Sequence, residues 1–261
     1  MNNLKIEEIQ VCKVVLLGES TVGKKSIISR FVDDSFSEDN ITTTGASYAS
    51  KNVVFKDYKN KVIKFEIWDT AGQEKYRSLT QIFYKDAAMA ILVFDTTRQN
   101  TFNEIKNYWI SQIKEYAPED ILLGLAGHKC DLIEDTKTNE EEIREFAKKI
   151  GAFFRFTSAK ENIGIVDLFL SLGCKYLDPK FKDDETVRPR TNLDEDNGDY
   201  KPSDDKYVKI NDKYKDRRQS VRLNKEKTNA NTKTNEQKKK MLLNYYKKYK
   251  YDILKILQFL L

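Results

Sequence analysis

The segment Gly18-Glu19-Ser20-Thr21-Val22-Gly23-Lys24 sets a lysine directly after the second of two spaced glycines. That spacing suits phosphate, because the glycines let the backbone curl until its N–H groups face an anion, and Lys24 reaches the outer oxygens. Farther along stands Trp68-Asp69-Thr70-Ala71-Gly72-Gln73-Glu74. At a strand end Asp69 can hold a magnesium-bound water, Gly72 can bring a bare N–H to a terminal phosphate, and Gln73 can orient an attacking water. Thr43, within Ile41-Thr42-Thr43-Thr44-Gly45-Ala46, offers a hydroxyl to magnesium and an N–H that senses the last phosphate. The chemistry these residues describe is in-line attack of water on a phosphoanhydride. Gln73, Lys24, Gly72 and Thr43 are its catalytic candidates, and Thr43 and Asp69 its metal-binding ones.

One position departs from the phosphate-loop pattern, which asks for Ser or Thr after the lysine to bind magnesium; here it is Lys25. Ser26 is out of register, since one residue along a helix turns the side chain by about 100 degrees. Lys25 and Ser26 stay among the nucleotide-contacting candidates by position, together with each residue of the Gly18 to Lys24 loop.

Two later stretches suit a base. Asp131 of Lys129-Cys130-Asp131 can accept from the N1 and N2 donors of guanine, which adenine cannot offer in that arrangement. The stem of Lys129 can cover a ring face, and within Thr157-Ser158-Ala159-Lys160 the N–H of Ala159 can meet O6. Phe36 is a candidate to stack from the other side, and His128 precedes the pair.

Such groups need a scaffold that gathers strand ends, and residues 9 to 177 supply one by alternating strand and helix. Apolar patterning predicts strands at 9–17, 51–58, 61–68, 87–95, 121–126 and 152–157, the second and third as a hairpin around Lys59-Asn60, and helices at 24–32, 102–116, 139–150 and 165–176. The rhythm implies a mostly parallel α/β sheet covered on both faces, with ligands at the carboxyl ends of the strands. The motifs fall there.

Nine of the ten glycines precede residue 174, and three of the four prolines follow just after it, which marks a boundary near Leu177-Asp178-Pro179. Residues 178–205 hold roughly ten acids against five bases, and 206–261 roughly seventeen bases against five acids. The net charge of +5 is therefore a property of the tail and no argument for nucleic-acid binding. The expected organisation is a nucleotide domain over 9–177, a charged disordered linker over 178–240 and a basic amphipathic helix over 241–261. In the last, Leu242, Tyr246, Tyr249, Ile253, Ile256 and Leu260 recur at helical spacing beside lysines, suited to an acidic membrane surface or a partner. Three cysteines at unrelated spacings and a single histidine form neither a disulfide framework nor a metal cluster, which points to a reducing compartment. No targeting segment or membrane span is legible, so a cytoplasmic protein is expected.

With these motifs in hand, residues 9 to 177 resemble the Rab small GTPases, members of the Ras-like P-loop NTPases. The likeness rests on Gly18-Glu19-Ser20, Thr43-Thr44-Gly45-Ala46-Ser47-Tyr48, Lys64-Phe65-Glu66-Ile67-Trp68, Lys75-Tyr76-Arg77-Ser78-Leu79, Phe83-Tyr84-Lys85-Asp86-Ala87 and Leu92-Val93-Phe94-Asp95-Thr96-Thr97. Gly-Glu-Ser and Thr-x-Gly-Ala are most similar to the early-endosomal branch. The resemblance implies a GTP/GDP cycle with Mg2+ and slow hydrolysis in vesicle traffic. It also implies an exchange factor, a GTPase-activating protein and effectors engaging 36–48 and 69–84, and a peripheral place on endosomal membranes. Lys25, His128 where the family has asparagine, and Thr44 at an apolar position depart from it. The chain also lacks terminal cysteines for prenylation. Lys25 and His128 support an alternative, a nucleotide-locked or catalytically impaired binding module.

Overall fold

A computed structural model describes residues 9–38, 47–69, 83–183, 187–189, 191–194 and 207–209. The chain divides into two compact units, Met1–Tyr214 and Lys215–Leu261, the second lying outside the described residues. In the first, β1 (Ile9–Leu17), β2 (Ser47–Phe55), β3 (Lys61–Asp69), β4 (Met89–Asp95), β5 (Leu122–His128) and β6 (Phe153–Thr157) form one sheet in the order β2-β3-β1-β4-β5-β6. Only the β2–β3 pair is antiparallel.

Sequence explains each role. Every residue of β4, Met-Ala-Ile-Leu-Val-Phe-Asp, is buried, as a parallel strand covered on both faces must be. β2 instead exposes Tyr48, Ser50 and Asn52, buries Val53 and Phe55 at its end, and lies at the sheet edge. The hairpin turn falls at Lys59 and Asn60, both at positive φ (57° and 56°), the conformation a tight turn between twisted strands demands.

Helices cover both faces. α1 (Lys24–Asp33) and α5 (Ile165–Leu177) share one, where Phe31 stacks on Phe169 and both meet Phe65 edge-on. On the other, α2 (Gln99–Glu104) runs through a π-helical turn (Ile105–Trp109) into α3 (Ile110–Tyr116), and Phe102 packs on Phe94 of β4. α4 (Glu140–Ile150) starts where Asn139 Oδ1 accepts the N–H groups of Glu141 and Glu142, and stops at Gly151 in a left-handed conformation. Among the described residues no helix is long and apolar enough to cross a membrane.

Structure continues past Leu177. Short strands β7 (Val187–Pro189) and β8 (Tyr207–Lys209) pair antiparallel, and Thr191 bridges Phe55 of β2.

Candidate nucleotide site

Four loops meet at the carboxyl ends of the strands. The first leaves β1 and enters α1 with its two glycines in conformations that side chains disfavour: Gly18 at φ 145° and Gly23 at φ 101°. Added Cβ atoms would strike the Val93 carbonyl at Gly18 and the His128 ring at Gly23. Thr21 also takes a positive φ of 63°, and Val22 is buried beneath the loop. Lys24 folds back over this curl and donates to the carbonyls of Gly18 (2.8 Å) and Glu19 (2.9 Å). Those carbonyls hold the donors that an arriving phosphate would take. Burial lowers the Lys24 ammonium to about 8, against the opposing pull of Asp69 and Glu19.

Asp69, the last residue of β3, is fully enclosed and close enough for its charge to act on Lys24. A buried carboxylate beside Lys24 is the kind of oxygen ligand that a small divalent cation prefers. Residue 25 offers no oxygen. Lys25 is exposed on the first turn of α1, whereas Ser26 is buried. The donor set thus fits magnesium through Asp69 and not through residue 25. Thr43, Gly72 and Gln73 lie outside the described residues.

The base-reading candidates come together from β5 and β6. β5 runs two residues beyond the predicted strand, to His128, which is buried and places its Nδ1 3.0 Å from Thr157 Oγ1 at the end of β6. Burial first, then the Lys129 charge, holds the imidazole down at about 4, so it is neutral at pH 7. Its other edge lies on Gly23, and one ring therefore spans the phosphate loop and the base loop. Lys129 turns the chain at φ 61° and reaches back to Asp95 Oδ2 at 2.7 Å. Cys130 donates its N–H to the Thr157 carbonyl (3.2 Å), which ties the two base loops together. Asp131 is half-buried, and its charge acts on both His128 and Lys160.

After β6, Ser158 is buried and its Oγ accepts the Glu161 N–H at 3.0 Å. The Ala159 carbonyl accepts from Arg30 Nε of α1 at 2.8 Å. Lys160 is exposed and pairs with Glu38 at 2.8 Å, two residues beyond Phe36, which packs half-buried against the core.

Sequence reasoning missed the residues that hold these loops in place. Asp95, buried at the end of β4, accepts from the Thr97 N–H and hydroxyl, from Arg98 Nε and from Lys129 Nζ. Burial raises its pKa, but the hydrogen bonds from Lys129 and Thr97 outweigh it and keep the carboxyl below its usual range. Arg98 also donates to the Ser20 carbonyl at 3.4 Å, joining the same anchor to the phosphate loop. An acid closing a wholly apolar strand was the available signal.

Comparison with known proteins agrees with this geometry. The family model described as Ras family matches residues 13–178. The chain is 42% identical over 169 residues to human Ras-related protein Rab-22A, covering 65% of this chain and 84% of the relative. It is 42% identical over 166 residues to rat Rab-31 (64% and 82%), and 36% identical over 194 residues to the GTP-binding protein YPT52 of Saccharomyces cerevisiae (64% and 82%). The chain belongs to the Ras family of small GTPases, and within it to the Rab proteins. The catalytically impaired alternative finds no support in these relatives.

Proposed function

We propose that this chain is a GDP/GTP switch that hydrolyses GTP slowly and acts in endocytic vesicle traffic. The observation that carries the reading is the convergence of Lys24, Asp69, Lys129, Asp131, Ser158 and Ala159 from four strand ends around one loop. In this reading the Gly18 to Lys24 loop cradles the phosphates, Lys24 exchanges its two carbonyl partners for phosphate oxygens, and Asp131 selects guanine. Lys129 covers the base, held by Asp95. Magnesium, held through Asp69 and Thr43, would neutralise charge on the outer phosphates. Gln73 orients the attacking water, Gly72 and Thr43 sense the terminal phosphate, and a partner's arginine accelerates the step.

Effectors and regulators would engage 36–48 and 69–84. Half-exposed Tyr48 supports this, standing edge-on to Trp68, which in turn touches Phe83. Such an aromatic cluster suits a partner's apolar side chains. The early-endosomal sequence likeness, with Rab-22A and Rab-31 among the relatives, supports a peripheral endosomal location.

Gln73→Leu tests the hydrolytic reading. Single-turnover GTP hydrolysis should slow by about tenfold or more while GTP affinity changes little, because the residue acts on the water and not on the base. Unchanged hydrolysis, with and without an activating partner, would count against it.

A further inference from the structure

The match to the Ras family ends at residue 178, yet the folded contacts do not. Arg155, in the middle of β6, is buried, and its guanidinium grips Asp183 through two bonds of 2.7 Å, Nη1 to Oδ2 and Nη2 to Oδ1. Ser171 of α5 completes the cluster, donating to Asp183 Oδ1 at 2.7 Å and accepting from Arg155 Nη2 at 3.0 Å. A buried guanidinium requires its counter-charge, so part of the domain's interior is closed by a residue beyond the family boundary. The approach to Asp183 is fixed as well. Lys175 Nζ donates to the carbonyls of Pro179 and Phe181, and the Phe181 ring lies against Phe153.

The chain then returns to the sheet at its open edge. Thr191 is fully buried and bridges Phe55, while Asn192 Oδ1 accepts the Val54 N–H at 2.8 Å, an edge donor that faces away from β3. Leu193 packs against the core. Beneath it lies core shared with the elements that carry the nucleotide loops. The Phe55 ring sits on α5 at Gly173, where an added Cβ would collide with it, and belongs to the same core as Phe31 of α1. α1 begins at Lys24, β2 begins just after the Thr43 loop, and β3 ends at Asp69.

Resting on the nucleotide-switch reading, we propose that residues 178–183 and 191–194 are a latch. Clasped by Arg155 and docked on Val54 and Phe55, they restrain the β2–β3 ribbon, so that undocking them speeds nucleotide release. The edge of β2 is a strand-accepting surface, and its resident occupant is this chain's own 191–192.

Two variants of the full chain test the latch, read by amide hydrogen exchange and by release of a fluorescent GDP analogue. Asn192→Ala should lower protection of the Val54 amide by about tenfold, the size of one lost hydrogen bond, with Asn52 on the same edge unchanged. Both Asn192→Ala and Asp183→Ala should speed release by about fivefold, a typical coupling between two sites. If Asp183→Ala fails to fold, Asn192→Ala still decides the matter. A Val54 amide that exchanges as fast as that of Asn52 in the unmodified chain overturns the docking. Release at the unmodified rate, despite lost protection, overturns the coupling and leaves a merely structural strap. No bound analogue in the unmodified chain would overturn the nucleotide reading and the coupling with it, while Val54 exchange still reports whether the strap is docked.

Discussion

His128 and Lys25 are the residues at which this chain departs from its family's site chemistry, and the structure treats them differently. His128 is drawn inward. Its neutral ring keeps a hydrogen bond to Thr157 and fills the space beside Gly23. Because burial lowers its pKa to about 4 from 6.5, the unfolded chain takes up a proton that the folded chain refuses between those values. Stability contributed by the neutral ring is complete above pH 6.5 and is lost as pH falls toward 4. Urea midpoints should therefore drop more steeply from pH 7 to pH 5 for the unmodified protein than for His128→Asn; parallel slopes would contradict the assignment. Lys25 faces outward, and it leaves the site without the hydroxyl that the family offers to magnesium. Nucleotide release should therefore depend only weakly on magnesium, and Lys25→Ser should restore a strong dependence. Magnesium titration of fluorescent-nucleotide release compares the two, and identical curves would show that residue 25 has no part in metal binding.

Elements were legible where the pattern was strong. The apolar β4, the alternation of β3 and the bounds of α4 agree with the sequence reading within a residue or two. Two features left no periodic trace. The π turn at Ile105–Trp109 adds one residue to a turn and merely rotates the apolar stripe until Ile105 and Trp109 both face the core. His128 ends β5 because its backbone still pairs with Asp95 and Thr157 on either side, although a polar residue after glycine reads as loop. The loop anchors Asp95 and Arg98 stayed hidden for a related reason, since what they hold lies on other elements, far away in sequence. The candidate helix at 241–261, outside the described residues, rests on its sequence stripe alone. Lysines near an anionic surface contribute about 1 kcal/mol each, so vesicle binding through this segment should weaken as salt rises. A chain ending at Lys240 should stay unbound, whereas equal pelleting with and without 241–261 would remove the segment as an anchor.

At the scale of the molecule, the class was readable from motifs alone, because the loop glycines, Lys24, Asp69 and Asp131 fall, among the described residues, at or just beyond the carboxyl ends of sheet strands. What composition obscured was where the folded domain stops. The acidic stretch after Leu177 reads as solvated spacer, yet Asp183 within it closes a buried ion pair and Asn192 pairs with β2. Single charges that fold back on a domain look the same in sequence as charges that face water. Guanine selection by Asp131 is the property on which the switch depends. Competition of GTP and ATP for a bound fluorescent GDP analogue measures it directly. GTP should displace the analogue at concentrations lower by about a thousandfold or more, as expected for a site that hydrogen-bonds the base, and Asp131→Ala should erase most of that difference. Equal displacement by ATP and GTP in the unmodified protein would contradict it.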